Sequence, residues 1–469
     1  PPYFIQGAGL FFNDYDSENV HSLWNKLRRD LWTLYRGWGF LDDEILGLKQ
    51  ALENAIDRHP LYTRKPDIPA DAVAFVVGAG PSLDGLLPVL RAYADKAFIV
   101  SCGSAITALA RAGIKPDLHV EIERTYMTYV VLDDPQTRDF VKDVPIAALS
   151  IMHPAVFTAT TKPLMFLKEI DMGAHLCDFF GEYQHFRSGP TCTNGGLDIV
   201  LRMGFKRAYL FGIDYGFRDP AQHHSKASIY FDKTSAKSDD LERIVDFTHE
   251  AHKVGLPVPG NFSEGILSTE IFIHSRDSMA ISVAEHPDAK VFNFNDGAKI
   301  SGTHPLKDED LALELDASAK PALVSAAMSA FTDDYDADPF DRLNMLIEQV
   351  VAVREDLTRI LSGELKSKMD VADKLYDMHH YLFDERHQSA QIFPLVRGSM
   401  LHMGRFLYDC MAMIRDEKTA LEYARFGFDL FDRFLAAGQE NIVSLHELGR
   451  ARQEAHRVAE HASQKGVAA

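Results

Sequence analysis

The chain has 469 residues, with 49 Lys and Arg against 68 Asp and Glu, a formal charge of −19 and 46% hydrophobic residues. This length supports about two to three domains with a sizeable core, and the acidic balance excludes broad binding to nucleic-acid phosphates, which needs a basic footprint. The cysteines Cys102, Cys177, Cys192 and Cys410 lack CxxC spacing, which excludes a disulfide scaffold or thiolate zinc site and fits a reducing cytoplasm.

The start, Pro1-Pro2-Tyr3-Phe4, has no basic leader, and no stretch approaches the apolar length of a membrane span. The missing initiator Met points to a trimmed or omitted upstream segment. Residues 18–58 read as helical, with Leu23, Leu27, Leu31 and Leu34 at spacings of three and four, forming a docking segment. The apolar run Ala72–Val77 then predicts the first strand of a buried parallel sheet. Strands are predicted at Ala97–Ser101, Leu118–Ile122, Ile146–Ile151, Arg207–Gly212 and Val291–Phe294, and helices at Ala105–Ala112 and Gly195–Met203. This alternation predicts an α/β fold with a Rossmann-like, mostly parallel, doubly wound sheet.

Beyond residue 306 the pattern turns helical. Leu343, Leu346, Ile347, Val350, Val351 and Leu357 mark one apolar face, and Phe406, Leu407, Cys410, Met413 and Ile414 another. The expected division is a mainly helical segment at 1–70, an α/β domain at 71–305 and a helical domain at 306–469, with a frayed or disordered tail after Arg450.

The loop Gly78-Ala79-Gly80-Pro81-Ser82-Leu83 joins a predicted strand to a predicted helix, a context in which small residues and helix N–H groups approach a phosphate. It is neither the dinucleotide fingerprint nor a P-loop. Gly-x-Gly-Pro-Ser-Leu resembles the nucleotide loop of bacterial family-42 sialyltransferases and the central domain of flagellin-modifying motility accessory factors (Maf). Three further blocks follow in the same order. They are Ser101-Cys102-Gly103-Ser104 with the turn Gly113-Ile114-Lys115-Pro116-Asp117, the run Ser188–Gly196 with Gly212-Ile213-Asp214-Tyr215, and His223-His224-Ser225. The Maf resemblance extends over roughly residues 37–302. Departures from the sialyltransferases are Ala79 in place of an asparagine, Gly103 in place of an amide and Gly216 within an aromatic pair.

The resemblance implies a cytoplasmic glycosyltransferase that moves a pseudaminic- or legionaminic-type nonulosonic acid from its CMP form to Ser or Thr of flagellin, with inversion and no permanently bound cofactor. His224 is the expected general base, with His223 as the fallback, and Tyr215 is expected to assist the departing phosphate. Gly78, Ala79, Gly80, Pro81, Ser82, Leu83, Gly103, Ser104, Thr191, Thr193, Asn194 and Asn293 are expected around the donor. Glu123 suits either ribose hydroxyls or a loop cap, and Asp214 caps strand-end N–H groups or meets the donor. The loop Asn293–Gly302 is either a closure over the donor or a surface turn, and Arg124 and Lys299 are candidates for the sugar carboxylate. Two Asp-x-Asp pairs, Asp14/Asp16 and Asp334/Asp336, read as solvated loops, so transfer is expected to need no metal. Two alternatives stand beside this reading. One is an ATP- and magnesium-dependent pterin diphosphokinase, whose archaeal examples resemble the same core; the other is a non-catalytic flagellin-binding assembly factor.

Overall fold

The computed structural model describes residues 21, 39–178, 180–231, 239–253, 255–335, 338–384, 386–387 and 390–466. Leu23, Leu27, Leu31, Leu34, Asp14 and Asp16 lie outside them. The chain divides into two compact units, one of residues 50–169 and 180–337, the other of 1–49, 170–179 and 338–469.

The first unit is built on one large sheet. Its strands in chain order are β1 (Leu61–Tyr62), β2 (Val73–Val77), β3 (Phe98–Cys102), β4 (Leu118–Glu121), β5 (Ile146–Leu149), β6 (Pro163–Lys168), β7 (His185–Phe186) and β8 (Arg207–Phe211). A small hairpin, β9 (Leu256–Val258) and β10 (Ile266–Ser268), precedes β11 (Lys290–Asn293), β12 (His304–Pro305) and β13 (Phe331–Thr332). Spatial order is β12-β11-β8-β2-β3-β4-β5-β6-β1-β13, with β7 paired to β6. All pairings in this sheet are parallel except β1 with β13. β2 and β3 are apolar because both faces are covered, and all their residues are buried. The fold is therefore α/β with a mostly parallel, doubly wound sheet, as expected.

Residues 50–70 and 306–337, expected to belong to the flanking helical segments, instead complete this unit. The physical reason is strand pairing, since Leu61 and Tyr62 pair with Thr332 and Phe331. Tyr335 is also not solvated: it is buried and its hydroxyl donates to the His59 carbonyl at 2.9 Å.

Three helices begin at one edge of the sheet: α1 (Leu83–Ala92) after β2, α2 (Ala105–Ala112) after β3 and α3 (Cys192–Met203) before β8. A fourth, α4 (Asp239–Ala251), follows later in the chain.

The second unit is helical, with α5 (Pro339–Leu361), α6 (Lys368–Phe383), α7 (Phe393–Met413) and α8 (Glu417–Gly466). Leu343, Leu346, Val350 and Leu357 are buried as the pattern predicts. On α7 the predicted face is offset, because Phe406 and Met413 are exposed whereas Met400, Gly404, Leu407 and Met411 lie inward at helical spacing. The expected frayed tail is largely continuous helix within α8. Arg354 grips Asp432 through its Nε and Nη2 at 2.8 and 2.9 Å, and Arg342 donates to the Cys177 carbonyl.

Candidate functional site

Strand order reverses on either side of β2, which places the loops after β2, β3, β4 and β8 around one crevice at their carboxyl ends. A cavity of about 350 Å³ opens there. Among its lining residues are Ala79, Gly80, Pro81, Gly103, Ser104, Glu123, Thr191, Thr193, Asp214, Tyr215, His223 and His224. The sequence therefore brought twelve separate candidates to one place.

The loops after β2 and β8 are bonded to each other. Gly78 N donates to Phe211 O at 2.8 Å and Gly80 N to Gly212 O at 2.7 Å. Gly212 has φ 62°, the left-handed region that favours glycine. A Cβ on Gly80 would stand 2.8 Å from the Gly212 carbonyl and collide with the Asp214 carboxylate. Asp214 in turn accepts from Ser82 Oγ at 2.5 Å and from Ser82 N at 3.2 Å. Its burial pushes the carboxyl up to about 7, against the lowering effect of the Ser82 bonds.

This bonding corrects the phosphate-cradle expectation. The N–H groups of Gly80 and Ser82 are engaged as described, Leu83 N donates to Gly80 O at 3.1 Å, and Pro81 has none. The loop packs against β8 instead of offering a nest of donors. Gly78 and Ser82 are not among the cavity-lining residues, and Leu83 is a buried core residue. Asn194 and Asn293 are likewise buried away from the lining. Asn194 forms the capping box of α3 and donates to Ser275 O at 2.8 Å. Asn293 accepts from Asn295 N at 3.0 Å and holds the following turn. In that turn Asp296 N donates to Ser82 Oγ at 3.0 Å and Ala298 N to Asp214 O at 2.7 Å, so residues 296–298 buttress the β2 and β8 loops. Arg124 and Lys299 do not line the cavity.

At the start of α3 the hydroxyls form a directed chain. The Asn194 amide oxygen accepts from Thr191 Oγ at 2.7 Å, so Thr191 accepts from Thr193 at 2.9 Å and Thr193 accepts from the Tyr215 hydroxyl at 2.7 Å. Burial raises the Tyr215 phenol well above its usual range, so it stays protonated. Its proton is committed to Thr193 Oγ within the cavity wall.

The histidines form a second directed chain. A backbone carbonyl only accepts, so His249 Nε2 donates to Tyr230 O at 3.1 Å. In the neutral ring His249 Nδ1 then accepts from His223 Nε2 at 2.8 Å, and His223 Nδ1 accepts from His224 Nδ1 at 2.6 Å. This leaves a lone pair on His224 Nε2. Burial, followed by the neighbouring imidazoles, lowers His223 to about 3 and holds His224 far below its ordinary value, so both are neutral near pH 7. Ser225 anchors this turn to the first loop: its N–H donates to Ala79 O at 2.8 Å and its hydroxyl to Asp84 Oδ1 at 2.5 Å.

Sequence reasoning missed Cys102, Cys192, Tyr230, His252 and Phe272, which also line the cavity. For the histidines a signal was present: His249 and His252 stand three apart, which puts them on one side of a helical turn. Tyr230 and Phe272 carry no local signal, since long loops and separate helices deliver them.

A family model described as "6-hydroxymethylpterin diphosphokinase MptE-like" matches residues 49–220. An uncharacterized protein of Treponema pallidum (strain Nichols) is 29% identical over 84 residues, which span 18% of this chain and 40% of that protein. The solved structure of the Maf glycosyltransferase from Magnetospirillum magneticum AMB-1 superposes with a TM-score of 0.72 at 22% identity, covering 95% of this chain and 67% of that one. The chain thus has the fold of a Maf glycosyltransferase, with an MptE-like segment that spans β1 to β8 and the cavity residues up to Gly216 but not His223, His224, Tyr230, His252 or Phe272.

Proposed function

We propose that this chain is a glycosyltransferase that moves a nonulosonic acid from its CMP-activated form to a Ser or Thr hydroxyl of flagellin. The observation that carries this reading is the cavity of about 350 Å³ at the strand-order switch of a Maf-type fold, with a hydrogen-bonded His223–His224 pair in its wall. The donor phosphate would lie at the N-terminus of α3, where Thr191, Cys192 and Thr193 line the cavity and the helix dipole favours an anion. His224 Nε2 takes the acceptor hydroxyl proton as the sugar–phosphate bond breaks. The anionic donor raises the affinity of that imidazole for a proton by placing negative charge beside it.

The decisive experiment incubates the protein with unmodified flagellin and CMP-nonulosonate, with and without EDTA, and measures intact flagellin mass. A mass increase of one sugar residue that persists in EDTA is the expected result, and an unchanged mass with folded protein would overturn it. The MptE-like match supports a second reading, diphosphate transfer from ATP to a hydroxymethylpterin. Formation of the pterin diphosphate in the presence of ATP and magnesium would favour that reading.

A further inference from the structure

We propose that His223, His224 and His252 form a binding site for a transition-metal dication of the zinc class in the wall of the cavity. Each presents a ring nitrogen, and these nitrogens all lie within 4.8 Å of one another. All three rings line the cavity, so an ion held by three imidazoles would keep a further position open toward it.

Two of the three tautomers are set by backbone carbonyls. His252 Nδ1 donates to Thr248 O at 2.6 Å, which leaves Nε2 with a lone pair. That nitrogen is buried and has no hydrogen-bond partner, in a residue that is 5% exposed. A buried polar atom without a partner carries an uncompensated desolvation cost and calls for an explanation. His223 is fixed in the same way at one remove, since the Tyr230 carbonyl orients His249 and His249 orients His223 so that its Nδ1 lone pair faces His224. A backbone carbonyl that holds the far nitrogen of a ligating imidazole is a usual outer support of a metal site, and His249 relays the Tyr230 carbonyl to His223. His224 becomes the third ligand by shifting its proton from Nδ1 to Nε2 through solvent. The rings of His223 and His252 stack at 4.3 Å, a compact packing of neutral imidazoles.

The donor set selects the ion. Three imidazoles and no carboxylate suit Zn²⁺, Ni²⁺, Cu²⁺ or Fe²⁺ and not Mg²⁺. The cluster is therefore not the magnesium site that an ATP-dependent diphosphokinase needs. His224 serves either the ion or the acceptor hydroxyl, never both, and this clause alone rests on the transferase reading.

The test uses the full chain, stripped of metal by a chelator and then dialysed. Titration with Co²⁺ is expected to give visible d–d bands that saturate at one equivalent, are abolished by Zn²⁺ and persist in excess Mg²⁺. His252→Ala is expected to weaken Co²⁺ binding by at least ~10-fold, and His249→Gln, which frees the His223 tautomer, by roughly 10- to 100-fold. His304→Ala, at an exposed residue outside the cluster, is the control and should bind as the parent does. Absence of bands in the unmodified chain would overturn the proposal without any variant, as would equal binding by parent and folded His252→Ala. Neither readout involves sugar transfer, so this failure and that of the transferase reading are separable.

Discussion

His224 gains orientation from the imidazoles behind it and loses basicity to the same neighbours and to burial. If it is the base, His224→Ala should lower the turnover of the proposed transfer to flagellin by at least ~100-fold while affinity for the proposed donor stays within about threefold; a retained rate would reassign the proton to another group. Asp214 gives a pH signature. Its folded carboxyl titrates at about 7 against 3.8 when free, so between those values the folded state binds more protons than the unfolded one. Its contribution to stability is therefore full below the free value and is lost as pH rises toward 7. Asp214→Asn should flatten the fall in thermal midpoint across that window and remove a decline in affinity for the anionic donor above pH 7. At this scale the sequence exposed residues that follow strand ends directly, such as Gly80, Ser104 and Asp214. It could not expose which N–H groups are free, because Gly80 and Ser82 spend theirs on Gly212 and Asp214, contacts made far along the chain.

The loops after β2 and β8 are joined by the Gly80 N–H to the Gly212 carbonyl and by the Ser82 bonds to Asp214, and so pack as one element. Gly212→Ala places a Cβ at positive φ against the Gly78 carbonyl, and should cost about 1–3 kcal/mol in denaturant unfolding. Gly85→Ala provides the contrast, because it lies in α1 with nothing within 4 Å of the added carbon. It should stabilise by about 0.5–1 kcal/mol. The same comparison measured on both variants would reject the packing argument if Gly212→Ala proved neutral. Among elements, the long apolar strands were legible because burial on both faces leaves an uninterrupted hydrophobic run. β6 was not, since it begins with Pro163, and β1, β12 and β13 are two residues each, too short to carry a period. On α7 a neighbouring set of apolar residues imitated the buried face, and only packing separates Leu407 from the exposed Phe406.

On the scale of the chain, the helical unit draws on three separate stretches, one of them the short segment Ile170–Phe179 between β6 and β7. The sequence pattern marks the change toward helix, though it sets it at residue 306 where the unit boundary lies at Asp338, and it does not mark this excursion, because ten residues inside an α/β pattern leave no compositional trace. Met172, Leu176 and Cys177 of the segment are buried, and Arg342 of α5 bonds to the Cys177 carbonyl. Ending the chain before Asp338 should therefore uncover apolar surface on the remainder. The expected result is raised binding of a hydrophobic dye and loss of monodisperse elution relative to the full chain, and a truncated protein indistinguishable in both would contradict the assignment. The interrupted layout also has a consequence in time. During synthesis at roughly 5–20 residues per second, Ile170–Phe179 leaves the ribosome on the order of ten to thirty seconds before Asp338 and the helices that follow it. For that interval a nascent sheet must close around a loop whose apolar side chains have no destination, which makes this segment the natural place for a chaperone to hold the growing chain.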